Sequence, residues 1–246
     1  MLHLLRRHPI PIACFFRRAL VVAYAFPPRV LESLLPEGLV LDTWRGQAFL
    51  AVALVETENL RPRFLPVSMG KDFFLIGYRI FARLAGRPSL RGLRILRSET
   101  DSSLMARAGN FLTHYNYTQC EVNVEECGEQ VRWVVGTPHA EADLDVIAQV
   151  AGGPATLPAG SPFLSMAEAR RFAGPLPYTF DYEAETGAMI AIEAVRQNWN
   201  PQPVAVEVRR CVFIESEPFR QVTPVLANAF YVHDVPYAWQ RGRRVA

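Results

Sequence analysis

The densest collection of polar and aromatic side chains in this chain is HYNYTQ, His114 to Gln119. Read as a strand, its alternation puts His114, Asn116 and Thr118 on one face and Tyr115, Tyr117 and Gln119 on the other. One set then faces a ligand; tyrosines packed in a core with satisfied hydroxyls account for the same letters. Lys71 is the single lysine among 26 basic residues. A lysine amine becomes a nucleophile when desolvation or a nearby cation depresses its pKa. The adjacent Asp72 favours the ammonium form instead, and an exposed loop lysine is the plain alternative. Arg79, Arg83, Arg94 and Arg97 fall on two neighbouring predicted strands, where inward arginines can hold a carboxylate in bidentate fashion and outward ones only solvate the surface. Arg79 shares a face with Arg83, and Arg97 with Glu99; a surface position is expected for two of the four arginines, and alternation does not say which two.

Around these residues, several chemistries have no support. The chain has no GxGxxG, Walker loop, GxSxG or HExxH, so nucleotide hydrolysis, serine-hydrolase and zinc chemistry lack their motifs. The 5 histidines are dispersed, and Cys14, Cys120, Cys127 and Cys211 lack metal-ligand spacing; no metal site and no cofactor are expected. With 26 basic and 24 acidic residues spread along the chain, there is no concentrated positive patch for nucleic acid. No run reaches the roughly 18 apolar residues of a membrane span, and Pro9, Pro11, Arg17 and Arg18 interrupt the N-terminal segment that superficially resembles a secretory signal. Reduced thiols and a cytoplasmic location are the expectation.

The elements that must position these groups are short and mostly extended. Residues 18 to 26 read as a buried strand, and Pro27-Pro28 opens a helix running to Leu35 that Pro36-Glu37-Gly38 stops. LVLDTW, the turn Arg45-Gly46 and QAFLAVALVE form a hairpin signature. Strands follow from Asp72 to Leu84 and from Ser89 to Arg97, then a short helix from an N-cap at Ser98 to Gly109. Residues 113–126 and 129–137 read as a hairpin around Cys127-Gly128, and 151–162 as a loop. Ser165 caps a helix, MAEARRF, before strands near 177–183, 188–197, 203–215 and 227–233. This predicts a mainly β fold with a few short helices, a closed antiparallel barrel or a sandwich. It is read as one domain over 1–246, with 1–16 an N-terminal extension and 235–246 a C-terminal tail whose Arg241, Arg243 and Arg244 form a frayed end.

The succession from Tyr78-Arg79 through RGLRILRSETDSSLMARAGNFLTHYNY resembles the YqjF-like family of bacterial domains of unknown function, distant relatives of acetoacetate decarboxylase. The likeness runs from about Arg17 to the last strands and is most specific over residues 86–119; VVAYAFPPRVLESLLPEGLVLD is similar to the opening of the decarboxylase itself. The resemblance implies the acetoacetate decarboxylase-like barrel. In that enzyme one lysine forms a Schiff base with a β-keto acid, a second lysine lowers its pKa, and an arginine and a glutamate assist. Carried over, Arg17 falls on the arginine, Asp72 near the acid, and Tyr117 and Thr118 on the two lysines. Losing both amines removes the electron sink that decarboxylation requires.

The expectation is therefore a barrel that binds a small molecule, with an oxo- or carboxylate-bearing metabolite as ligand or substrate. Its cavity would be lined by Arg17, Arg79, Arg97, Glu99, His114 and Tyr115, with Asp72 moving a proton and Tyr117 donating to a developing oxyanion. Two alternatives remain: a lyase or decarboxylase whose imine amine has moved to Lys71, and a non-catalytic interaction protein, including a homo-oligomer, whose barrel is filled by its own side chains.

Overall fold

The computed structural model describes residues 2–151, 155–174 and 176–246; residues 152–154 of the predicted loop lie outside these. The first strands are β1 (Ile12–Phe26), β2 (Leu39–Leu41), β3 (Ala48–Pro62), β4 (Lys71–Leu84), β5 (Arg87–Thr100) and β6 (Tyr117–Gln119). Then come β7 (Glu121–Cys127), β8 (Gln130–Gly136), β9 (Leu144–Gln149), β10 (Tyr178–Glu183) and β11 (Ala188–Arg196). The last are β12 (Gln202–Pro203), β13 (Val206–Cys211), β14 (Val225–Trp239) and β15 (Arg243–Arg244). Four short α-helices interrupt them: α1 (Pro28–Glu32), α2 (Ser103–Leu112), α3 (Met166–Ala173) and α4 (Val212–Glu215).

The main sheet runs β14-β1-β3-β4-β5-β10-β11 and closes on itself, because Ala194–Arg196 of β11 pairs with Tyr237–Trp239 of β14. The ring is not wholly antiparallel as expected: β5 and β10 run parallel, as do β5 and β6. A second sheet, β13-β9-β8-β7, covers the outside of β1, β3 and β4. It buries Trp133, Val135, Leu144 and Val146 against Leu20, Leu54, Ile76 and Tyr78. The runs ALVVAYAF and FLAVALV are thus nearly continuous in hydrophobicity because these strands are covered on both faces, by the second sheet outside and by the barrel interior within.

One end of the ring is closed by phenylalanines. Phe163 and Phe172, the latter on α3, pack on Phe49 with ring centroids 5.4 and 5.0 Å away. There Arg83, on the inward face it shares with Arg79, shares the buried carboxylate of Asp42 with Arg91, each guanidinium donating at 2.6 Å.

Several local expectations need correction. β2 pairs with β4 rather than β3; only the bridge Trp44 to Gln47 survives of the predicted hairpin, around a turn with Arg45 and Gly46 both at positive φ. β5 continues to Thr100, so Ser98 is a strand residue and Ser102 caps α2, its hydroxyl accepting from the Met105 amide at 3.2 Å. Ser165 caps α3 as predicted. The supposed extension and tail both carry barrel structure: β1 begins at Ile12, β14 runs to Trp239, and β15 pairs with β11. The peptide around His8 ties the N-terminal segment to α2 and to the C-terminal segment, its amide donating to the Leu112 carbonyl and its carbonyl accepting from Gly242.

Candidate functional site

The ring encloses a cavity of about 370 Å³. Small side chains make room on β1 and β3, where Ala19, Ala51 and Ala53 face inward beside Val21 and Val55. Leu75, Leu93 and Ile95 extend the apolar wall on β4 and β5, and Phe16, Phe230, Tyr237 and Trp239 form an aromatic side. Phe16 stacks on Tyr237 at 4.2 Å, and Tyr237 meets Trp239 at 4.7 Å.

Arg79 enters this apolar space from β4, directly across the ladder from Ala51. The accessible part of its side chain faces the cavity. Its Nε is buried without a hydrogen-bond partner, and it makes no ion pair among the described residues. Burial lowers the Arg79 pKa, with Arg196 nearby acting in the same direction and the tyrosine ring of Tyr237, Tyr117 and Tyr115 against it. A cation in such a setting is largely desolvated and has no counter-charge, the arrangement that an incoming anion relieves. Gly77 is part of this design: a Cβ there would lie 2.6 Å from the Arg79 Nε, so the guanidinium folds over a position that only glycine leaves open.

Tyr115 and Tyr117 flank the cavity with ring centroids 6.3 Å apart. They do not sit on one continuous strand. Asn116 between them adopts a left-handed conformation at φ 52° and is exposed, and only Tyr117–Gln119 is extended. Asn110 of α2 supplies the missing ladder: its side-chain amide donates to the Tyr117 carbonyl at 2.9 Å and its oxygen accepts from the Tyr117 amide at 2.7 Å. Gly109 leaves the space into which the Tyr117 ring packs; any Cβ there would collide with it. Burial pushes the Tyr117 hydroxyl up to about 12 against the opposing pull of Arg79, so at neutral pH it is a donor. The Tyr115 hydroxyl is also raised by burial, and it has no partner.

Arg196 occupies another wall. Its Nη2 donates to the Leu176 carbonyl at 2.7 Å and to the Tyr237 hydroxyl at 3.3 Å, and its guanidinium lies over Trp199 and Tyr237 at 5.2 and 5.3 Å. His8 lines the cavity too, with an unpartnered Nδ1 and a pKa lowered to about 4 by burial.

The predicted site residues separate into four places. Arg79, Tyr115 and Tyr117 meet in the cavity. His114 is held beside it by Asp181, whose carboxylate accepts from the His114 amide at 3.1 Å, lies 3.0 Å from Nδ1 and also pairs with Arg94. Arg97 and Glu99 form their expected pair at 2.8 Å, but on the outward face beneath the second sheet, with Glu141 also on Arg97. Burial raises Glu99 to about 7 despite Arg97. Arg17, Lys71 and Asp72 lie outside the barrel interior. Arg17 is exposed near Glu58; Asp72 is exposed and accepts from the Asn59 amide at 2.7 Å; Lys71 is exposed at the start of β4, opposite Leu60. Arg196, Trp199, Tyr237, Trp239, His8 and Asn110 were not anticipated. The available signal was the alternation within Phe230/Val232 and within Tyr237/Trp239, which changes phase between the two pairs, where Asp234 has φ 55°, and was obscured by reading the last residues as a tail.

With the geometry in view, comparison places the chain among known proteins. A family model described as an uncharacterized conserved protein, DUF2071, matches residues 15–238. Uncharacterized protein YqjF of Bacillus subtilis (strain 168) is 28% identical over 106 residues, so the match spans 43% of each chain. Among solved structures, acetoacetate decarboxylase of Legionella pneumophila is similar with a TM-score of 0.67 at 11% identity, over 97% of this chain and 88% of that one. The enduracididine biosynthesis enzyme MppR complexed with pyruvate gives 0.65 at 11% identity, over 97% and 91%. An acetoacetate decarboxylase-like enzyme of Sphingomonas wittichii RW1 gives 0.60 at 13% identity, over 98% and 94%. At such identities the likeness establishes the fold, which is acetoacetate decarboxylase-like. Among the described residues no helix is long and apolar enough to cross a membrane.

Proposed function

The chain belongs to the DUF2071 family of uncharacterized conserved proteins, and from that premise we propose that its barrel cavity binds a small carboxylate-bearing molecule, with Arg79 as the anion receptor. The observation that carries this reading is a guanidinium inside an apolar cavity with no carboxylate paired to it among the described residues. A bidentate carboxylate satisfies its planar donors and its charge together. Arg79 thus takes the role that the family resemblance gave to Arg17. The neutral Tyr117 hydroxyl, on a residue lining the same cavity, donates to a carbonyl or carboxylate oxygen of the ligand. That the structurally similar MppR holds pyruvate is consistent with a fold that accommodates oxo acids. The reading includes no imine step, because Lys71 is exposed outside the cavity wall and Tyr117 and Thr118 stand where the family resemblance would put the amines.

The test is equilibrium binding of a carboxylate panel, followed through the tryptophan fluorescence of Trp199 and Trp239 in the wild type and in Arg79→Met. Two charge-assisted hydrogen bonds at about 1.5 kcal/mol or more each predict a loss near 100-fold in the variant. Equal affinities in the two proteins would exclude Arg79 as the receptor.

A further inference from the structure

We infer that the ligand of this cavity is a hydrophobic monocarboxylic acid, with a body of about six to eight carbons or a phenyl ring, and not a short oxo acid such as pyruvate. This rests on the carboxylate reading above and narrows it. The first ground is space. One water occupies about 30 Å³ of liquid volume, so a cavity of about 370 Å³ is several times larger than a two- or three-carbon acid fills. That space is built by small side chains: Ala51 is the ladder partner of Arg79, Ala53 is the partner of Gly77, and Ala19 lines the cavity on β1 opposite Val55.

The second ground is the lining. Away from Arg79 and the two tyrosines, the walls are mostly apolar, Val21, Val55, Leu75, Leu93 and Ile95 on one side and the Phe16, Tyr237 and Trp239 stack on the other, with His8, Ser98, Thr113, Thr179 and Arg196 as the polar members. An acid with a polar body would leave its groups unpartnered there, whereas an alkyl or aryl body gains from every methylene buried.

The third ground is charge. Arg196, the other guanidinium of the cavity, is already committed: its Nη2 donates to the Leu176 carbonyl and the Tyr237 hydroxyl, and its plane lies against Trp199 and Tyr237. It braces the aromatic wall. Its Nε is also buried without a partner, but a second carboxylate at the far end of the ligand would have to draw Arg196 away from the Leu176 carbonyl, the Tyr237 hydroxyl and the aromatic wall to pair with it.

Isothermal titration of the full chain with acetate, butanoate, hexanoate, octanoate, octanedioate and octanamide tests this. At about fourfold per buried methylene, each two-carbon step up to octanoate tightens binding by about 16-fold. Octanedioate and octanamide each bind at least tenfold more weakly than octanoate. Affinity that stays level from acetate to octanoate, while octanamide remains weak and Arg79→Met abolishes binding, overturns the hydrophobic-acid inference and leaves the carboxylate reading standing. Octanedioate binding as tightly as octanoate overturns the monoanion assignment. Octanamide equal to octanoate overturns the carboxylate reading itself, and binding of none of the six overturns both.

Discussion

Replacing Arg79 by methionine should make the ligand-free protein more stable while removing its ligand. Arg79 is a buried guanidinium whose Nε has no partner and which has no ion pair among the described residues, so the folded state bears a desolvation cost that the unfolded chain does not. Methionine matches its length and fills irregular apolar space. Exchanging buried charges for apolar groups of similar volume stabilises by about 1 to 4 kcal/mol in known cases. Because part of the Arg79 side chain is accessible from the cavity, the lower half of that range applies, about 1 to 2 kcal/mol. For a chain of 246 residues, each kcal/mol moves the melting temperature by roughly 2 to 4 °C, so an increase of about 2 to 8 °C is expected. The assay is thermal unfolding of both proteins by circular dichroism, with and without octanoate. Saturating ligand at 100 times its Kd stabilises the wild type by about 2.7 kcal/mol, which reverses the order of the two melting temperatures. A ligand-free variant that melts below the wild type would refute the reasoning, because it would mean that Arg79 is satisfied in the folded protein.

Tyr117→Phe removes one neutral donor and should weaken octanoate binding by about 3- to 10-fold in titration, with a melting temperature close to that of the wild type. Since burial raises the Tyr117 hydroxyl to about 12 from its ordinary value near 10, the folded state favours the neutral phenol. The associated stability is present below pH 10 and lost as pH rises from about 10 to 12, a loss that urea titrations should find absent in the phenylalanine variant. Glu99, raised to about 7, likewise binds its proton more tightly when folded; stability should fall as pH rises from about 4.5 to 7, by up to roughly 3 kcal/mol, and Glu99→Gln should flatten that slope. Gly109→Ala should destabilise by about 1 to 3 kcal/mol although alanine is the better helix former by about 1 kcal/mol, because its methyl meets the Tyr117 ring. A stabilised Gly109→Ala protein with unchanged ligand affinity would show that the ring has room to move.

The residue patterns by themselves determined the material of the fold. Runs such as ALVVAYAF specify strands, Ser165 specifies the start of α3, and the positive-φ turn at Arg45-Gly46 is written in its letters. That Arg79 and Arg83 share one face was legible for the same reason, since alternation along one strand is a local property, but that this face is the inward one was not. The resemblance over residues 86–119 pointed to the barrel and to the lack of a lysine pair. Which strands pair was not legible: β2 joins β4 and not β3, β10 runs parallel to β5, and β11 closes the ring on β14 across some forty residues of chain. Periodicity says that a face is buried but not what covers it, so Arg97 and Glu99 could be read as lining a barrel when they face the second sheet.

The site itself was decided by tertiary structure. Arg79 and Arg83 are four residues apart on one inward face, yet Arg83 finds Asp42, 41 residues away, while Arg79 finds an apolar cavity. Tyr117 reaches the same cavity through Asn110 and Gly109 of α2 after the chain turns at Asn116. Local propensity acts over a few residues, whereas the charge state and chemistry of a side chain depend on the atoms that folding brings around it. That is why the arginines were readable from the letters and which of them are left in the cavity without a counter-charge was not.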